Sequence, residues 1–258
     1  MSAVLRLENL NHYFGGLKAV SNFEAELQKG ELVGLIGPNG AGKTTIFNLV
    51  TGVYAPTQGK IFFKGQDITG MKPYRIAEMG IARTFQTLRL YGSLSVLDNV
   101  TLGYHFRVNY GLLPSILRTS SFRDEERKMR ERSEELLARF GLLDMAYERA
   151  SSLPYGEQRR LEICRALASD PELLLLDEPA AGMNPLEVEE LMNLIRWVHK
   201  EFDVTIFLIE HQMQVVMGIC PRIIAMDFGE IIAEGTPEEI QNNPRVLEAY
   251  LGRVEETA

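Results

Sequence analysis

Gly37-Pro38-Asn39-Gly40-Ala41-Gly42-Lys43-Thr44 fits the pattern G-x-x-x-x-G-K-[S/T] in full. Each residue type has a physical task there. Glycines let successive backbone N–H groups curl around phosphates. Lys43 is placed to reach the β- and γ-phosphates, and the Thr44 hydroxyl is a hard oxygen ligand for Mg²⁺. Taken alone, these eight residues could also be a chance glycine-rich turn. The pattern carries its chemistry only between a strand and a helix, and both flank it. Glu31 to Ile36 is a short apolar run that leads into the loop, and Thr45 to Val50 has helical character. The positive end of that helix then faces the phosphates.

Working outward, Leu173-Leu174-Leu175-Leu176 is an apolar run that ends in Asp177-Glu178-Pro179. Two adjacent carboxylates at a strand end could be a plain solvent-facing turn. Downstream of a phosphate loop they read as the second half of a nucleoside triphosphate site. Asp177 would hold Mg²⁺ through water, and Glu178 would orient and polarise the attacking water. Leu186 to Lys200 reads as a crossover helix between this run and Val204 to Ile209. That is a βαβ unit and implies parallel strands. Further strands are expected over Val4 to Leu10, Val20 to Gln28, Gly59 to Phe63, Arg222 to Met226 and Glu230 to Ala233, with a helical tail from Pro237. From about Leu88 to Ala150 strand-like runs vanish. Arg123 to Phe140 is a charged helix with Met129, Leu136, Leu137 and Phe140 on one stripe. Its charges form a solvated face, with Glu126–Arg130 and Glu135–Arg139 at supportive spacing.

The composition bounds the function. The chain has 258 residues, 45% hydrophobic and 24% charged, with a net charge of -8. This is an ordinary globular balance, and without a basic run nucleic acid is not an expected partner. Cys164 and Cys220 sit among apolar neighbours and read as small buried hydrophobes. The four histidines lack zinc spacing. No segment reaches the ~18 apolar residues of a membrane span, and Met1 to Asn11 lacks the apolar core of a signal peptide. A cytoplasmic protein is expected, with any membrane contact made through a partner.

At this point the chain resembles the ATP-binding subunits of ABC transporters, over nearly its whole length and with the motifs in the family's order. Arg83-Thr84-Phe85-Gln86 looks like the Q-loop. Leu153-Pro154-Tyr155-Gly156-Glu157-Gln158 stands where the family has its Leu-Ser-Gly-Gly-Gln signature. Ala181-Gly182-Met183-Asn184 looks like the D-loop, and Ile209-Glu210-His211 like the switch-histidine strand. The resemblance implies an α/β fold, a P-loop ABC ATPase core with an N-terminal antiparallel β subdomain and an inserted helical subdomain. Residues 1–87 and 151–258 would form the core and 88–150 the insertion. It also implies residue roles. Glu178, His211 and Gln86 would be catalytic, and Thr44, Gln86 and Asp177 would face Mg²⁺. ATP would be held by Gly37, Pro38, Asn39, Gly40, Ala41, Gly42, Lys43, Thr44 and Thr45, with Phe14, or its neighbour Tyr13, stacking on adenine. Tyr155, Gly156 and Glu157 would contact the nucleotide bound on an opposing subunit.

The chain departs from the family pattern at Pro154 for the signature serine, Tyr155 for its first glycine, Glu157 for its glutamine and Asn184 for the D-loop aspartate. The contact to the opposing nucleotide must then rest more on backbone N–H groups around Gly156. The same departures, with the ending Gly235-Thr236-Pro237-Glu238-Glu239-Ile240 through Tyr250-Leu251-Gly252, resemble the ATPases of branched-chain amino acid uptake systems, closest to the larger of their two. His105 to Ser121 would fit that group's longer helical lobe. The resemblance implies two transmembrane permease subunits, a second ATPase subunit, an external substrate-binding protein reached indirectly, and a place at the cytoplasmic face of the plasma membrane. Urea or amide uptake, lipopolysaccharide export and a soluble ABC ATPase are the alternatives.

Overall fold

The computed structural model describes residues 3–104 and 119–251. Residues 105–118, which make up most of the stretch read as a longer helical lobe, lie outside it, as does Gly252. The chain divides into two compact units, one of residues 1–86 with 172–258 and one of residues 87–171.

The first unit holds two sheets. Strands β1 (Ala3–Phe14), β2 (Leu17–Gln28), β4 (Gln58–Phe63) and β5 (Gln66–Asp67) form an antiparallel sheet in the order β2-β1-β4-β5. In β2, buried and exposed residues alternate from Phe23 to Leu27, as expected of a strand with one face on the core. β1 is longer than Val4 to Leu10 because register shifts carry its pairing with β2 on to Phe14 opposite Leu17. Such bulges break the alternation by which a strand is recognised.

The second sheet has the order β10-β9-β3-β8-β7-β6. It comprises β3 (Leu32–Ile36), β6 (Ile81–Arg83), β7 (Leu173–Asp177), β8 (Thr205–Ile209), β9 (Arg222–Asp227) and β10 (Glu230–Gly235). All neighbours are parallel except β10 on β9. Every residue of β3, β7 and β8 is buried, because a central parallel strand is covered on both faces. Helix α1 (Lys43–Val50) seats Phe47 on this sheet, its ring 5.3 Å from that of Phe207, and the short α2 (Pro73–Glu78) leads into β6. Each such buried ring contributes on the order of 1.5–3 kcal/mol. This packing fixes the position of the loop that precedes α1.

The second unit is helical. Helix α3 (Val96–Tyr104) packs on α4 (Ser120–Arg139) and α5 (Tyr155–Ala168). Met129, Leu136, Leu137 and Phe140 are buried, as their spacing required. Ser133 joins them, donating to the Met129 carbonyl at 2.7 Å and receiving the Thr101 hydroxyl at 3.1 Å. The opposite face carries exposed pairs such as Arg130–Glu134 and Arg127–Asp124, worth about 0–1 kcal/mol each. Helix α5, which carries Tyr155, Gly156 and Glu157, falls within this unit.

Candidate functional site

The loop from Gly37 to Gly42 leaves β3 and turns into α1 through backbone that only glycine accepts. Gly42 has φ 102°, and a Cβ there would stand 2.5 Å from the Ala19 carbonyl oxygen. At Gly37 a Cβ would fall 2.2 Å from the Met226 carbonyl oxygen. The N-cap position of α1 is that same Gly42, with no side chain to cap the first turn. The opening N–H groups of α1 therefore keep their donor capacity for an anion. Lys43 is 5% exposed and donates to the carbonyls of Gly37 (2.6 Å) and Pro38 (3.0 Å). Burial pulls its pKa below the ordinary lysine range, while the negative charges of Glu178, Asp177 and Glu210 pull the other way. The ammonium thus sits between its own loop and three carboxylates.

Asp177 ends β7, and Glu178 follows it with φ 45°. A left-handed glutamate is strained backbone that the surroundings must hold. They do so through Glu178 N–H, which donates to the Ile209 carbonyl at 2.9 Å. The turn aims the carboxylate at two other side chains. Gln86 Nε2 donates to Glu178 Oε2 at 2.7 Å, and His211 Nδ1 lies 3.5 Å from the same oxygen. Glu178, Gln86 and His211, which follow three strands consecutive in sequence, are thereby brought together beyond the ends of β7, β6 and β8. Asp177 is 3% exposed and bonds Arg83 Nη2 at 2.7 Å.

Sequence reasoning passed over Glu210. It is fully buried and accepts from the N–H groups of Ala180 (2.7 Å), His211 (3.1 Å) and Gln212 (3.3 Å). Gln212 Nε2 closes the turn by donating to the Ala180 carbonyl at 3.1 Å. Burial raises the Glu210 pKa, and the N–H donors and His211 oppose the rise. One carboxylate thus pins both the turn after Glu178 and the backbone of His211. The available signal was a charged residue directly after the wholly apolar Ile206 to Ile209. Glu210→Ala orphans three N–H groups at about 1–3 kcal/mol each. A lower melting temperature is expected, with the secondary structure retained. Thermal unfolding and far-UV circular dichroism on the same preparation check this.

Phe14 and Tyr13 are both exposed, at 44% and 41%. Phe14 meets His12 and Tyr54 edge-on, with centroids at 4.7 and 5.3 Å, while Tyr13 lies under Lys18 at 5.9 Å. Asn184 is the N-cap of α6 (Pro185–Phe202), in a capping box with Glu187. Its side chain accepts from the Leu186 and Glu187 N–H groups at 3.0 and 3.1 Å. The asparagine that departs from the D-loop pattern is thus a good helix cap. Helix α5 begins at Tyr155 after Pro154, again with no side-chain cap, so Gly156 stands in its first turn.

A family model described as ABC transporter matches residues 20–181. The chain belongs to the ABC transporter family. A second model, described as branched-chain amino acid ATP-binding cassette transporter, matches residues 230–256 of this cassette. The cassette is 48% identical to the high-affinity branched-chain amino acid transport ATP-binding protein LivG of Escherichia coli (strain K12), over 96% of this chain and 98% of that one. It is 42% identical to the corresponding protein BraF of Pseudomonas aeruginosa over the same shares. The solved ADP conformation of MJ1267, an ATP-binding cassette of an ABC transporter, superposes with a TM-score of 0.85 at 31% identity, covering 98% of this chain and all of that one. The cassette binds nucleotide, and its ATP hydrolysis is coupled to transport. The Thr44 hydroxyl, the Asp177 carboxylate and the Gln86 amide oxygen are hard oxygen groups of the kind Mg²⁺ takes beside substrate phosphates.

Proposed function

We propose that this cassette powers the import of branched-chain amino acids, as the larger of two ATPase subunits bound to two transmembrane permeases at the cytoplasmic face of the membrane. The observation that carries the catalytic half is the meeting of Gln86 and His211 on one oxygen of the strained Glu178. Gln86 donates to Glu178 Oε2 and His211 Nδ1 lies beside that oxygen, and the carboxylate takes the proton of an attacking water. The Glu178 carboxylate is the general base, Gln86 orients it, and His211 holds the γ-phosphate. Lys43 and the N–H groups opening α1 bind the phosphates, and Phe14 or Tyr13 stacks on adenine. Thr44, Asp177 and Gln86 would hold Mg²⁺, which when bound neutralises charge on the β- and γ-phosphates.

The Gly156 N–H group, with Tyr155 and Glu157 around it, meets the nucleotide bound on the second ATPase. ATP then favours a closed pair because it binds that state better, and hydrolysis removes the preference. The cargo rests on the sequence likeness to LivG and BraF and on the match over residues 230–256. Among the described residues no helix is long and apolar enough to cross a membrane.

The test is recovery of the complex. A tagged Glu178→Gln chain, extracted from native membranes with detergent and ATP, is expected to bring two permeases and a second ATPase. Reconstitution of the same complex with Glu178 intact, together with its external binding protein, should give ATP-dependent leucine uptake. Uptake of urea or an amide instead would replace the cargo, and soluble partners alone would overturn the membrane assignment.

A further inference from the structure

Arg83 ends β6, three residues before Gln86, with its side chain 6% exposed. Its guanidinium meets three side chains at once. Nη2 donates to Asp177 Oδ2 at 2.7 Å. Nη1 donates to Asn48 Oδ1 at 2.8 Å and to Thr51 Oγ1 at 3.2 Å, on and just beyond the last turn of α1. The charge also lies 5.6 Å from the Phe47 ring centre and 4.9 Å from that of Phe85. A planar fork suits this arrangement and an ammonium does not. A buried carboxylate left without a partner is costly, so Arg83 sets where the Asp177 carboxylate can point.

We propose that Arg83 is a positioning residue for the metal-side carboxylate: it clamps Asp177 and ties it both to the helix of the phosphate loop and to the strand that delivers Gln86. The inference rests on the reading of Asp177 as the Mg²⁺-facing group. It makes Arg83 a partner behind the ligand, whose loss lowers metal affinity while leaving the contacts between the phosphate loop and nucleotide in place. Partners of this kind are typically worth about 10–100-fold in metal affinity.

The experiment measures Mn²⁺ binding by electron paramagnetic resonance in the presence of adenylyl imidodiphosphate, and metal-free binding of the same nucleotide in EDTA. The full chain is compared with Arg83→Met, Arg83→Lys and Asp177→Ala. Arg83→Met is expected to weaken Mn²⁺ binding at least about tenfold with metal-free affinity unchanged. Arg83→Lys keeps one cation on Asp177 but gives up the fork to Asn48 and Thr51, so it should fall between wild type and Arg83→Met. It also decides the matter should Arg83→Met not fold. Wild-type Mn²⁺ affinity in the Arg83 variants, or an equal loss of metal-free nucleotide affinity, would overturn the proposal. If Asp177→Ala binds Mn²⁺ as the wild type does, the reading of Asp177 fails and the proposal with it. If Asp177→Ala weakens Mn²⁺ and the Arg83 variants do not, the clamp alone is wrong.

Discussion

Glu178→Gln is expected to slow ATP turnover about 10³-fold, the usual contribution of a positioned general base, while ATP stays bound. The substitution keeps the shape of the side chain. The left-handed backbone at φ 45° and the N–H bond to Ile209 do not depend on the charge. A glutamine oxygen still accepts from Gln86 Nε2, now at 2.7 Å from Glu178 Oε2. What disappears is the proton acceptor. A negative charge close to Lys43 also goes, which removes repulsion with the γ-phosphate and favours the bound state. Single-turnover phosphate release and a nucleotide titration separate the two effects. Turnover at the wild-type rate would move the role of base to another group.

The chemistry of the centre was legible because it is written in contiguous residues. The phosphate loop and the carboxylate pair are local patterns, and the wholly buried strands β3, β7 and β8 read as the apolar runs they are. What escaped was set by pairing across the fold. β6 spans only Ile81–Arg83 and has neither length nor alternation; it is a strand because it lies beside β7, with Arg83 opposite Leu175. The partnership of Arg83 with Asp177 joins residues far apart in the chain and follows from that register. Glu210, quoted in the switch-histidine strand without a role of its own, pins the turn at Ala180. Its importance lies in three N–H groups that no side-chain pattern displays. In the same way His12 and Tyr54 flank Phe14 only because β1 runs on past its bulges.

Lys43→Ala is expected to cost about 10²-fold or more in ATP affinity, the equivalent of two charge-assisted hydrogen bonds at about 1.5–3 kcal/mol each. The geometry gives reasons on both sides of the side chain. Lys43 Nζ now donates to the carbonyls of Gly37 and Pro38, so the ammonium is already desolvated and held at the mouth of α1. Moving from those carbonyls to phosphate oxygens exchanges neutral acceptors for charged ones, which are the stronger partners. On the other side stand Asp177, Glu178 and Glu210. Arg83 offsets Asp177, but without Lys43 the charge of Glu178 faces the triphosphate at an interior site where screening by salt is weak. Removal of one cation therefore weakens the attraction of the site for an anion. Alanine also removes the apolar stem along with the ammonium, so Lys43→Met, which keeps the stem and lacks the donor, is the companion variant. Calorimetric titration with ATP reads the affinity, and thermal unfolding without nucleotide shows that the fold persists. Equal losses in both variants assign the effect to the charge. Recovery of ATP affinity in Lys43→Met would assign it instead to the packing of the stem, and ordinary affinity and turnover in Lys43→Ala would remove Lys43 from the phosphate site.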